Sequence, residues 1–269
     1  MTDHTFWLAF GLTMIAGLST GIGSLIALIA KRTNTNFLCV SLGFSAGVML
    51  YVSFMDLLPL AKKELIFYYD EKLGVLSLLL AFFGGMGIIT LIDFLIPAPN
   101  NPHELQDLEE MSEPDRRQKT LHRTGIVVAL SLVAHNFPEG IAAFTTSMSN
   151  GLSIAIPIII AIAIHNIPEG IAVSVPIYHA TGNKQKAFWF SFLSGLTEPL
   201  GALVAYLFLT PFWSPLVNGI IMAAVAGIMV YISLDELLPT AEKYGKHHLS
   251  ISGLIAGMMV MALSMFLFI

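Results

Sequence analysis

Apolar stretches long enough to cross a bilayer follow one another along nearly the whole chain, and no other feature restricts its fold as strongly. A spanning helix needs about 20 apolar residues. Eight runs bounded by polar or turn-forming residues reach that length: 6–30, 37–60, 73–96, 123–147, 153–178, 187–209, 216–239 and 249–269. Only 12% of residues are charged and the mean hydropathy is +0.77. A water-soluble globule typically carries about 25% charged residues. The sequence therefore predicts an all-α integral membrane protein of eight transmembrane helices, with residues 1–269 forming one domain. No sizeable soluble catalytic or nucleic-acid-binding domain fits between the spans.

Lysine and arginine fix the orientation, because cytoplasmic loops collect them. The loops between spans 1/2, 3/4, 5/6 and 7/8 carry ten of the 13; the opposite face has only Lys62, Lys63 and Lys72. Both termini are thus expected outside the cytoplasm. No basic residue precedes the first run, which reads as a retained span rather than a removed signal peptide. The net charge of −5 describes one loop more than the protein, since six of 18 carboxylates lie in residues 104–115. That loop, 97–122, is rich in Pro, Asn, Glu and Asp and is expected to be a mobile cytoplasmic segment. The single cysteine, Cys39, rules out an intrachain disulfide and a thiolate cluster, and reads as packing.

The chain resembles itself in two ways. Residues 46–61, AGVMLYVSFMDLLPLA, match residues 226–241, AGIMVYISLDELLPTA, at nine of 16 positions, with Asp56 opposite Glu236. GLSTGIGSLIA from Gly17 likewise resembles GLTEPLGALVA from Gly195, with Thr20 opposite Glu198. Spans 1–3 thus correspond to 6–8, the third pair least clearly. Because partners lie five spans apart they cross in opposite senses, an inverted repeat of the kind that brackets transporter sites near the midplane. Between them, spans 4 and 5 carry a second duplication, 135–142 HNFPEGIA and 165–172 HNIPEGIA, identical at seven of eight positions.

A carboxylate at mid-span costs about 2.5 to 3.5 kcal/mol on the insertion scale. Glu139, Glu169 and Glu198 all sit mid-span, and no basic residue in their spans offsets them. A cation from outside must do so. His135 and Glu139 share a helix face at i, i+4, as do His165 and Glu169, with Asn136 and Asn166 one step round. Pro138 and Pro168 free the carbonyls of Ala134 and Ile164, while Gly140 and Gly170 permit close helix approach. Imidazole with carboxylate and no thiolate suits Zn(II), Fe(II), Mn(II) or Co(II) and disfavours Cu(I). Two divalent ions against three carboxylates come close to electroneutrality, which favours a binuclear site with a bridging glutamate. No organic cofactor is expected.

Further polar residues mark a route. Asp56 lies towards the outer end of span 2 and Asp235 and Glu236 towards the inner end of span 7, as entrance and exit or as solvated interfacial carboxylates. Met49 reads either as a soft transient contact or as packing. Asp93 reads as interfacial. His103, His122, His179, His247 and His248 fall on the cytoplasmic side, as collectors of emerging metal or as free surface histidines.

The paired His-Asn-x-Pro-Glu-Gly motifs followed by the Glu198-Pro199 span resemble the ZIP (Zrt/Irt-like protein) metal transporters, over essentially the whole chain and closest to their bacterial zinc-uptake branch. The resemblance implies uptake of divalent metal, zinc foremost with iron, manganese, cobalt or cadmium, across a bacterial inner membrane. It implies movement of one group of spans against the other, and homodimers. The family's metal ligands carry over as His135, Asn136, Glu139, His165, Asn166, Glu169 and Glu198. Asn166 departs from relatives that have Asp there, removing one charge. Two rivals stand beside this reading: a proton-driven metal exporter, whose orientation would look the same, and an intramembrane metal-dependent hydrolase, for which no His-Glu-x-x-His motif occurs.

Overall fold

In a bilayer every backbone N–H and C=O must find its partner within the protein, so a chain of this composition has helices as its natural solution. The computed structural model describes residues 3–29, 35–95, 133, 136–148, 152–244 and 247–267, and these contain helices and no strand. They form α1 (Asp3–Ile29), α2 (Thr35–Val52), α3 (Leu58–Tyr68), α4 (Glu71–Leu95), α5 (136–148), α6 (Leu152–Thr181), α7 (Lys184–Gly195), α8 (Thr197–Val204), α9 (Pro215–Ile232), α10 (Leu238–Tyr244) and α11 (His247–Leu267). Seven spans among the described residues are long and apolar enough to cross a membrane. The fourth expected span begins outside the described residues, as does the whole 97–122 loop, and 136–148 is its helical remainder. The protein is a multi-pass membrane protein.

Two spans run further than their apolar patterns suggest. The second continues without interruption to Tyr68 and the seventh to Glu242, past Pro59 and Pro239. A proline ring collides with the carbonyl four residues earlier. Both helices absorb this with one π-helical turn just upstream, Ser53–Leu57 and Ser233–Leu237. In each the wide turn closes with a bond five residues long, Leu58 N to Ser53 O and Leu238 N to Ser233 O. The serine hydroxyls also bond backward alike, Ser53 to Met49 O at 2.8 Å and Ser233 to Met229 O at 2.7 Å. Segments that match in sequence therefore share their one irregularity.

The sixth span, expected as a single helix, is broken at Leu196 into α7 and α8. Pro199 cannot donate a backbone bond, and the break leaves Glu198 in the first turn of α8, the positive end of its dipole.

Packing divides the helices. Helix α1 lies along α6, α7 and α8, α11 lies along α2, and α9 covers α3 and α4, while α2 against α6 joins the groups. Helices α2 and α11 approach so closely that a methyl on Gly47 would collide with the Leu254 carbonyl, and one on Gly257 with that of Phe44. Outward, α4 presents Leu80, Phe83, Ile88 and Leu91 to lipid. At one end Lys184 Nζ donates to the Leu28 carbonyl at 2.6 Å, tying α7 to the last turn of α1.

Candidate metal centre

The duplicated motifs meet inside the bundle. Asn136 and Glu139 come from α5, His165, Asn166 and Glu169 from α6, and Glu198 from α8, each no more than 1% exposed. His135 lies outside the described residues. Close approach makes the cluster possible: a methyl on Gly140 would strike the Glu198 carbonyl, and one on Gly170 that of Thr20.

His165 stands between two carboxylates, its Nε2 3.0 Å from Glu139 Oε1 and 3.9 Å from Glu169 Oε1, the latter its i+4 neighbour. Its Nδ1 lies 3.1 Å from the Ala161 carbonyl. A carbonyl can only accept, so that contact selects the tautomer with the proton on Nδ1 and the lone pair on Nε2. In the neutral ring Nε2 and Glu139 Oε1 are then two acceptors face to face, an arrangement that a metal ion or a second ring proton between them relieves. Both Glu139 oxygens are buried and accept no hydrogen bond. Burying an ionised carboxylate without a donor is among the costliest choices a fold can make.

The asparagines lean on backbone. Asn166 Nδ2 donates to the Ala16 carbonyl at 3.0 Å and to Glu198 Oε1, and Asn136 Nδ2 donates to the Ser194 carbonyl at 3.3 Å. Their amide oxygens are buried and accept no hydrogen bond, as is Glu198 Oε2. The centre thus offers carboxylate and amide oxygens and one described imidazole, a borderline-hard donor set without sulfur. Among the described residues no three His, Cys, Asp or Glu side chains close round one point as a finished coordination sphere.

The residues expected along a route sit elsewhere. Asp56 lies on the first π turn, half-buried, with Oδ2 accepting no hydrogen bond, while Asp235 and Glu236 lie on the second, Glu236 buried. Met49 is fully buried in the largest apolar cluster, one turn after Ser45, whose hydroxyl donates to the His165 carbonyl at 3.3 Å. The carbonyls of Ala16 and Ser194 and the Ser45 hydroxyl were not legible from residue types. Backbone acceptors leave no side-chain signal, though the register placing Ala16 opposite Ser194 carried one. Between α10 and α11 the exposed His247 ring lies 2.6 Å from Glu242 Oε1.

A sequence profile described as ZIP Zinc transporter matches residues 98–265, more than half the chain. The chain belongs to the ZIP family. ZIP proteins named Zinc transporter ZupT are similar to it from end to end: one from Streptococcus mutans is 58% identical over 100% of both chains. That of Clostridium perfringens is 56% identical over 97% of this chain and 96% of its own. That of Chlorobium chlorochromatii is 54% identical over 100% of both. Membership makes the protein a ZIP zinc transporter rather than an enzyme, which removes the hydrolase reading.

Proposed function

We propose that this ZIP protein imports divalent transition metals, zinc foremost and also iron, manganese, cobalt and cadmium, through a binuclear centre formed by His135, Asn136, Glu139, His165, Asn166, Glu169 and Glu198. The observation that carries the reading is the buried carboxylate group around His165, with both Glu139 oxygens lacking a donor. No Lys or Arg occurs between residues 124 and 183 or between 187 and 242, so neutralisation falls to a metal ion. Cargo enters past Asp56 and leaves past Asp235 and Glu236, with Met49 beside the path. Helices α1, α5, α6, α7 and α8 move as one body against α2, α3, α4, α9, α10 and α11; the packing groups support that division. The ten-to-three distribution of basic residues supports termini outside the cytoplasm of a bacterial inner membrane, and the homodimer rests on family resemblance.

The experiment is zinc, iron and manganese flux into proteoliposomes with an internal reporter, comparing wild type with Glu139→Ala, Glu169→Ala. Saturable flux that the double variant loses supports the reading; equal flux from both refutes it. Direction is read in cells given external zinc, where import raises cytosolic zinc and export lowers it.

A further inference from the structure

Two bonds in the centre repeat each other. Asn166 donates to the carbonyl of Ala16 on α1, and Asn136 to that of Ser194 on α7. Asn136 and Asn166 hold one place in the duplicated motif, and Ala16 and Ser194 each stand just before the matching glycines Gly17 and Gly195. Backbone approach follows the same exchange. Gly170 closes on the Thr20 carbonyl as Gly140 closes on that of Glu198, and Gly17 and Gly195 close on each other's carbonyls.

One side chain breaks the correspondence. Glu198 reaches across to Asn166, but the matching position on α1 is Thr20. The Thr20 hydroxyl lies on the α7 side of α1: a methyl on Gly195, beside Ser194, would lie 2.8 Å from Thr20 Oγ1. Thr20 Oγ1 and Asn136 Oδ1 are both fully buried, and neither has a hydrogen-bond partner. Two neutral oxygens left unsatisfied in the interior are costly unless something else uses them.

We propose that Thr20 is a further cargo-contacting residue, whose hydroxyl forms with the Asn136 amide oxygen a neutral half-site opposite the anionic one of Glu198 and Asn166. This deepens the reading of the centre as a metal passage and rests on it. The ion, directly or through a water it retains, is held at one end by a carboxylate and at the other by dipoles alone. Threonine keeps the carboxylate count at three, and the weaker attraction at its end lets the ion go.

Near-isosteric Thr20→Cys tests contact directly, because a thiolate favours cadmium over zinc. With full-length protein in liposomes, the ratio of zinc KM to cadmium KM is expected to rise about fivefold or more in Thr20→Cys. Thr20→Val is expected to raise the zinc KM about three- to tenfold through one lost ligand bond, with maximal flux changed less than about twofold. Thr20→Ser, which keeps the hydroxyl, retains wild-type values. Wild-type KM and metal ratio in both the Cys and Val variants overturn the proposal. So does failure of both to yield monodisperse protein while Thr20→Ser succeeds, since the hydroxyl then serves folding. Glu139→Ala runs beside them: its retaining flux sinks the reading of the centre itself, whereas its losing flux beside a silent Thr20 sinks only this inference.

Discussion

Helix α6 meets α1 across a seam as tight as the one between α2 and α11, yet the two seams do opposite things. In both, glycine lets a neighbouring carbonyl approach where any methyl would collide, as at Gly170 and at Gly47. The α2–α11 seam fills the space with apolar side chains, Leu42 and Met261 among them. The α6 seam spends the same closeness on carboxylates, amides and an imidazole whose hydrogen-bonding capacity it leaves incomplete. Tight packing alone is thus uninformative about function. What separates a structural seam from a working one is whether the polar groups it buries are satisfied.

The largest expected effect separates the seams outright. Glu139→Ala with Glu169→Ala should cut zinc flux by at least about 100-fold, since losing even a supporting group costs about 10- to 100-fold. Thermal unfolding of metal-free Glu139→Ala in detergent should not come earlier than in wild type, because neither Glu139 oxygen accepts a hydrogen bond that the change would break. A marked drop in Tm would place the centre with the structural seam. Gly47→Val should do the reverse, losing about 3 kcal/mol through overpacking against α11, read as a fall in Tm and in monodisperse yield, with KM for zinc unchanged in what survives. Zinc at about 100 times its Kd should stabilise wild type and Gly47→Val by about 2.7 kcal/mol, and the double glutamate variant not at all. Smallest is Ser45→Ala, which removes the hydroxyl bond from α2 to the His165 carbonyl and should cost about 0.5 to 1.5 kcal/mol. Its effect on flux would show whether that bridge between the helix groups restrains their movement.

The spans were legible because bilayer thickness imposes a length that apolar runs display directly, and the His165–Glu169 pairing because i, i+4 spacing fixes a shared face. Glu198 was legible as an uncompensated charge, and it accepts a hydrogen bond from Asn166. The π turns were not, since Pro59 and Pro239 signal a disturbance without saying how a helix absorbs it. Neither was the break at Leu196, nor the dependence of both asparagines on backbone carbonyls, which any residue at positions 16 and 194 would supply.

A π turn holds one residue more than the α turn it replaces, and each residue advances a helix by about 100°. Deleting one residue between Ser53 and Leu57 would remove that extra residue, letting the turn close as α and keeping everything beyond it, Pro59, Lys62 and Lys63 included, facing much the same side. When relatives are aligned, a one-residue gap at 53–57 or at 233–237 is therefore the loss of a wide turn rather than a change of direction. In homologues carrying such a gap, positions aligned beyond it should present the same faces as here, whereas a one-residue gap elsewhere in these helices should turn them by about 100°.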